Sequence, residues 1–431
     1  MKSITYAHLD EQVYTTTLAN GLQVMLLPQP AFHQTYATLT VHYGSLMNAF
    51  SPDGQSLVRL PQGTAHFLEH KIFEKADYDA FALFSQNGAD ANAFTTYNKT
   101  SFLFTATRHL HANLDILLDT VQTPYFTKKT VDKEKEIIAQ EIKMYDDDPD
   151  WQLFMQLLRN LYPHHPLHDD VAGTVASVHQ ITAADLQCAY DYFYVPNNMR
   201  LLLVGNFDVD CVMQWLNANQ ANKHLTSRIL PQVQTTNAVS PDIVKHTVCY
   251  GAISRPKCLL GIKNLMPFEH NQTGLRLKLT MNLLLDMLLG DDSNNYLQLY
   301  QQGIIDDTFG YEFSITDDAS FVAINGDSNQ PQRFMQTLQA LLQHAANNDE
   351  LNDDHLSRVK KANLGMYLRS FNSLETLANQ IMDNDYGTVG FFDIMPMLMD
   401  IKLTEIKQLA QTFFKDNAFS TVLLLPQEDD K

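Results

Sequence analysis

The sequence predicts an α+β protein made of two duplicated domains. A helical pattern followed by an apolar strand at 186–204 recurs at 406–424, an offset of 220 residues. Segments with period-two alternation are interspersed with longer segments of helical period. A chain of 431 residues also exceeds what a single hydrophobic core usually serves.

The repeat extends to individual positions. Phe193 corresponds to Phe413, Asn197 to Asn417 and Leu203 to Leu423, and the strand at 36–44 is matched by one at 257–263. We therefore predict two halves, one over 1–225 and the other over 249–431. The polar, Pro-containing stretch 226–248 is the predicted linker.

The first half is expected to begin with a hairpin, because residues 12–28 and 35–44 alternate with period two. A polar loop over 46–62 leads to a helix around 63–73, and Asp77 is the expected cap of a second helix ending at Gly88. Three further features complete the half: a hairpin over 89–96 and 100–106, a helix at 108–121, and a helix at 130–145 stopped by Pro149.

The residues with the clearest chemistry lie on the helix at 63–73. His66, Glu69 and His70 stand at i, i+3 and i+4, so their side chains leave from one helix face about one turn apart. Two neutral imidazoles are suitable zinc ligands, and a carboxylate beside the second His can accept a proton from water. This H-x-x-E-H order is the reverse of the commoner H-E-x-x-H.

A catalytic zinc site needs a third protein ligand. The helix at 130–145 offers Glu134 and Glu141, which are seven residues apart and therefore nearly in register on one face. We assign Glu141 as the third metal ligand. Because these residues all lie within 1–225, we predict that 1–225 is the catalytic metal-binding half and that 249–431 is the non-catalytic half. Glu134 is assigned to the catalytic site as the neighbour that orients a ligand, because metal ligands need outer partners.

These residues resemble the insulinase-like, or pitrilysin-like, zinc peptidases, in which H-x-x-E-H is followed some seventy residues later by E-x6-E. Asn20-Gly21-Leu22-Gln23-Val24 looks like the opening strand of that family, and Asn92-Ala93-Phe94-Thr95 looks like its substrate-side strand. The resemblance covers essentially the whole chain and is strongest to half-length bacterial members. It implies that the two duplicated domains are α/β sandwiches, each an antiparallel-rich sheet covered by helices, as this family shares with LuxS and the mitochondrial processing peptidases.

The resemblance also implies a mechanism and a substrate. Zn²⁺ held by His66, His70 and Glu141 activates water for attack on a peptide carbonyl, while Glu69 accepts the proton and returns it to the leaving amine. Asn92, Ala93 and Phe94 are the expected substrate-binding residues, because an extended peptide can pair with their strand. The implied activity is that of a zinc-dependent metalloendopeptidase.

One departure from the family pattern concerns the second half, where an Arg and a Tyr usually bind the substrate near the scissile carbonyl. Tyr300 and Asp306 occupy the matching positions here. The missing donors predict a homodimer or a heterodimer with a paralogous insulinase-like chain. Two other functions are implied by relatives: a non-proteolytic or assembly subunit, and a factor associated with the modification of translation elongation factor P.

Composition and charge indicate which partners and which cellular location to expect. A net charge of −19 argues against nucleic acid and against anionic membranes as partners. The N-terminal residues lack the apolar core of a signal peptide, and no run is long enough to span a bilayer, so a cytoplasmic location is expected. The four cysteines form no C-x-x-C pair, which fits a reducing compartment.

Overall fold

The structure is a computed structural model that describes residues 1–234, 238–316 and 319–427. Its strands are β1 (Lys2–Tyr6), β2 (Glu11–Thr17), β3 (Gln23–Pro28), β4 (Thr35–Val41), β5 (Ala49–Ser51), β6 (Val58–Arg59), β7 (Ala89–Thr95), β8 (Thr100–Ala106), β9 (Met199–Gly205), β10 (Gln232–Val233), β11 (His246–Gly251), β12 (Lys257–Lys263), β13 (Gly310–Ile315), β14 (Ser320–Asp327) and β15 (Phe419–Pro426).

The α-helices lie between groups of these strands along the chain. They are α1 (Thr64–Phe73), α2 (Ala80–Gln86), α3 (Leu110–Gln122), α4 (Lys128–Asp146), α5 (Pro149–Leu161), α6 (Val175–Gln180), α7 (Ala183–Phe193), α8 (Val209–Ala221), α9 (Gln272–Leu289), α10 (Asn294–Gln301), α11 (Pro331–Gln343), α12 (Asp353–Arg369), α13 (Leu374–Asp383), α14 (Ile394–Asp400) and α15 (Leu403–Phe413).

The chain divides into two compact units. The first contains Met1–Lys143, Asp170–Thr235 and Ser370–Gln380, and the second contains the remaining segments. These units differ from the predicted halves, since 144–169 belongs to the second unit and 370–380 to the first. The boundaries 1–225, 226–248 and 249–431 stay a prediction.

The first unit is built on a seven-stranded sheet in the order β1-β2-β3-β9-β4-β8-β7. Every residue of its inner strand β4 is buried, because β9 and β8 pair with it on both sides and helices cover the sheet. Helices α1, α3 and α7 pack together over the core, and β7 ends the sheet order. The metal-motif helix is thus anchored against the sheet, beside an edge strand.

The second unit repeats this arrangement in the sheet order β11-β15-β12-β14-β13. Strand β15 pairs parallel to β11 and antiparallel to β12, as β9 pairs parallel to β3 and antiparallel to β4. The α15–β15 segment recurs at the offset seen for α7–β9. The predicted α+β fold with two duplicated domains is confirmed.

Two local predictions are corrected by the structure. Strands β3 and β4 do not form a hairpin, because β9 lies between them and pairs with both. The cap of α2 is Asp79 rather than Asp77: its carboxylate accepts a hydrogen bond from the Phe81 amide at 2.8 Å. The hairpin of β7 and β8 is confirmed, with Thr95 paired to Thr100 at the turn. None of the described helices is both long enough and apolar enough to cross a membrane.

Gly63 sets where the metal-motif helix begins. It precedes α1 with a φ of 86°, a conformation that favours glycine. A Cβ built on this residue would lie 2.3 Å from the carbonyl oxygen of Ala172. The close approach of these two backbones fixes the first turn of α1 and, with it, the direction of the motif.

We expect Gly63→Ala to lower the free energy of unfolding by about 3 kcal/mol, from backbone strain and the backbone clash together. The matched control is Gly54→Ala in the same unit, where φ is 75° but the nearest neighbouring atom, Oε1 of Gln232, lies 3.7 Å from the added Cβ. This control should cost only about 1–2 kcal/mol. Urea unfolding measures both, and equal losses would contradict the account of Gly63.

Candidate metal centre

Helix α1 presents two chemically different faces. Its buried residues anchor one face in the core, and these include Phe67, Leu68, Ile72 and Phe73. His66, Glu69 and His70 lie on the other face and are partly exposed. The helical spacing read from the sequence is therefore the spacing that the structure has.

Helix α4 supplies the carboxylates opposite this face. Val131, Ile138 and Ile142 are buried and hold the helix against the core. Oε1 of Glu141 lies 3.7 Å from Nε2 of His66, and Oε2 of Glu141 lies 3.5 Å from Nε2 of His70. The two helices thus bring the three predicted ligands together.

The donor set fits a zinc ion. One ligand atom from each of His66, His70 and Glu141 lies within 4.8 Å of the others, and no other group of this kind occurs among the described residues. Two imidazole nitrogens and one carboxylate oxygen are a common ligand set of catalytic zinc, and they leave a fourth position for water.

Glu134 orients one of these imidazoles. Its Oε1 lies 3.1 Å from Nδ1 of His70, so a proton on Nδ1 leaves the Nε2 lone pair facing Glu141 and the ligand cluster. The fully buried Lys71 ammonium lies 3.9 Å from Oε2 of Glu134 and also contacts Glu74. Glu134 therefore occupies the position predicted for an orienting neighbour.

The charge states of the two imidazoles are set by their surroundings. Burial, aided by His70, lowers the pKa of His66 to about 3, so His66 is neutral, as a metal ligand must be. Burial acts to lower the pKa of His70 as well, but the hydrogen bond that Nδ1 donates to Glu134 and the nearby carboxylates outweigh burial and raise that pKa. Burial opposes the charge of Glu134, yet His70 and Lys71 hold its pKa below the usual value.

Glu69 lies beside the three ligands but has a different partner. Its Oε2 accepts a hydrogen bond of 2.5 Å from Oγ1 of Thr95 on β7. Burial raises the pKa of Glu69, while the Thr95 hydrogen bond opposes that rise. A partly shielded carboxylate next to a metal position can accept and return a proton.

The predicted substrate residues lie on β7. Asn92 is exposed, and Ala93 and Phe94 are half-buried. Asn92 and Ala93 line a cavity of about 640 Å³ whose wall also includes Glu69, His70 and Phe73. Phe94 is not among the residues that line it. In the described part of the chain β8 alone pairs with β7, so the opposite edge of β7 has no strand partner.

Sequence reasoning missed two contributors to this site. Lys71 follows the second His directly, and its burial was not evident from its type, because lysine is rarely buried. Thr95 was quoted in the substrate strand but was given no role. The helical period of α1 predicts neither the contact of Lys71 with Glu134, which is 63 residues away, nor that of Thr95 with Glu69, which is 26 residues away.

The two positions that depart from the family pattern lie in the second unit. Tyr300 is exposed and donates a hydrogen bond to Asp307 at 3.1 Å. Asp306 pairs with Arg255 at 2.7 Å, so its carboxylate already has a cationic partner. Asp306 thus serves the packing of its own unit.

Comparison with known proteins identifies relatives along most of the chain. The description "Insulinase (Peptidase family M16)" matches residues 24–175, and "Peptidase M16 inactive domain" matches residues 180–363. The zinc protease YmfH of Bacillus subtilis (strain 168) is 39% identical over 430 residues, which covers 99% of this chain and 100% of YmfH. The expected similarity to half-length bacterial members is confirmed.

Solved structures of M16-like peptidases and of other proteases are also similar to this chain. An M16-like peptidase from Alicyclobacillus acidocaldarius has a TM-score of 0.91 and 32% identity, covering 97% of this chain and 99% of its own. A protease from Helicobacter pylori has a TM-score of 0.80 at 18% identity, covering 96% of this chain and 100% of its own, which shows the shared fold.

We predict that the purified full-length protein binds about one zinc ion per chain. His70→Ala and Glu141→Gln should each remove most of the metal, because either change deletes one of three protein ligands. Glu69→Gln should retain it. Zinc content after dialysis measures this, with Glu136→Gln as the control: Glu136 is on the same helix but pairs with His179. Full zinc content in both His70→Ala and Glu141→Gln would contradict the ligand assignment.

Proposed function

The chain belongs to the insulinase family of peptidases, M16, and from this membership we propose that it is a zinc-dependent endopeptidase in which Glu69 is the catalytic base. The observation that carries the proposal is the convergence of His66, His70 and Glu141 within 4.8 Å beside the separate carboxylate of Glu69. A subunit with a purely structural role has no need for this combination, which supports the peptidase over a non-proteolytic assembly subunit or an elongation factor P modification factor.

The roles of the residues follow from their positions. A zinc ion at this site supplies a Lewis acid that makes water nucleophilic near neutral pH. His66 presents a neutral nitrogen, and Glu134 holds the His70 ring in orientation. Glu69 takes a proton from the attacking water and later gives it to the leaving amine.

The substrate is proposed to be an extended peptide. The unpaired edge of β7 offers backbone groups to an incoming strand, and this mode of binding depends little on sequence. Asn92 and Ala93 connect this edge to the cavity beside Glu69 and His70, which has room for a side chain of the peptide. Phe94 contributes through the backbone of the same strand.

Glu69→Gln should reduce cleavage of a mixed peptide pool by about a hundredfold or more, because an amide cannot accept the proton. Zinc content should stay at the wild-type level, which separates loss of the base from loss of the metal. Mass spectrometry of the peptide pool measures cleavage, with Glu136→Gln as the active control. Wild-type cleavage by Glu69→Gln would show that another group is the base.

A partner chain is the second part of the proposal. The scissile carbonyl gains negative charge during attack, and one further donor typically contributes about a hundredfold in rate. Asp306, at one of the two family donor positions, is engaged by Arg255 and is not a donor when ionised. We infer that a paralogous insulinase-like chain, more readily than a second copy of this one, supplies the missing donors.

Co-purification from the native cell extract should therefore recover a homologous chain lacking H-x-x-E-H. The complex should cleave peptides about a hundredfold faster than the lone chain, because the partner adds electrostatic stabilisation. Equal activity of the lone chain and the complex, or recovery of no homologous chain, would defeat the partner proposal. A recovered partner without any cleavage would instead favour the non-proteolytic alternative.

A further inference from the structure

We propose that Thr95 is the positioning residue of the catalytic base: its hydroxyl holds one carboxylate oxygen of Glu69 so that the other faces the reacting water. The inference rests on the proposed role of Glu69. It adds a residue on the strand that pairs with the peptide, and so connects that strand to the base.

The geometry leaves Glu69 dependent on this contact. Oγ1 of Thr95 lies 2.5 Å from Oε2 of Glu69, and it is the one hydrogen bond to this carboxylate in the described ranges 1–234, 238–316 and 319–427. A glutamate has three rotatable torsions, and the neighbouring Glu141 carries a like charge. Without a donor, the Glu69 carboxylate has no fixed orientation relative to the ligand cluster.

Counting protons fixes the direction of the hydrogen bond. A threonine hydroxyl has a single proton to donate. Thr100 donates its proton to the carbonyl oxygen of Tyr43 at 2.9 Å, and its contact with Thr95 is long, at 3.4 Å. The proton of Thr95 is therefore free to go to Glu69. This hydrogen bond is made to Oε2 of Glu69 and leaves Oε1 as the oxygen that accepts the proton of the water.

Thr95 lies on β7, the same strand at which we propose that the peptide binds. Thr95 is the last residue of β7 and pairs in register with Thr100 of β8, which is buried. The free edge of the same strand is the proposed docking edge for the peptide. The strand proposed to align the peptide backbone thus also orients the base. The peptide and Glu69 are therefore positioned by the same rigid strand.

The test measures binding of acetohydroxamate to the zinc-loaded full-length protein, because a hydroxamate binds zinc and gives its proton to an adjacent base. Thr95→Val should weaken this affinity by about tenfold to a hundredfold, as expected for a lost hydrogen bond to a charged group. Thr95→Ser should restore it. Thr105→Val on β8, whose register partner is Asp90, is the matched control and should bind as wild type does.

A double-mutant cycle separates positioning from a general structural effect. If Thr95 acts through Glu69, then Thr95→Val should add no more than about twofold in a Glu69→Gln background. Zinc content should be equal in all variants. If the Thr95→Val protein does not fold, Thr95→Ala is used in its place.

Wild-type affinity in Thr95→Val, or full additivity in the cycle, would overturn the proposal. Failure of zinc-loaded wild type to bind acetohydroxamate would also overturn it, because metal and base would then not act on one ligand. Full coupling together with no peptide cleavage would uphold the role of Thr95 and count against the proposed endopeptidase activity alone.

Discussion

The hydrogen bond between Nδ1 of His70 and Glu134, at 3.1 Å, is the interaction on which the site depends. It connects α1 to α4 and fixes which nitrogen of His70 faces Glu141. Glu134 can remain ionised at this partly buried position because His70 and the buried Lys71 both compensate its charge. The predicted metal ligands thus lie beside a charge network that includes the buried Lys71.

The duplicated second unit has the same helix and strand packing without this charge network. Helix α9 packs against α15 and β13, as α1 packs against α7 and β7, but α9 contains neither His nor Glu. Its partly buried carboxylate, Asp286, accepts hydrogen bonds from Tyr311 at 2.9 Å and Asn363 at 2.6 Å. Those bonds satisfy the carboxylate within its own unit. The same fold is therefore stable with or without the ligands, and the chemistry resides in a few side chains.

Features set by residues close together in the sequence could be predicted, whereas features set by distant residues could not. His66, Glu69 and His70 follow from helical spacing, and Glu141 follows from a second helix with its own period. The pairing of β3 with β9 could not be read in this way, because β9 lies some 170 residues further along the chain and displaces the hairpin suggested by local alternation. The contact between Thr95 and Glu69 also joins residues that are distant in sequence, 26 positions apart. It depends on how a strand and a helix pack rather than on either pattern alone.

We propose that two imidazoles and one carboxylate form a single zinc site. X-ray absorption at the zinc edge of the zinc-loaded full-length protein distinguishes this ligand set from others. We expect four light-atom ligands at about 2.0–2.1 Å with the outer-shell scattering of about two imidazoles. A sulfur shell near 2.3 Å, or a six-coordinate oxygen shell without imidazole scattering, would contradict it.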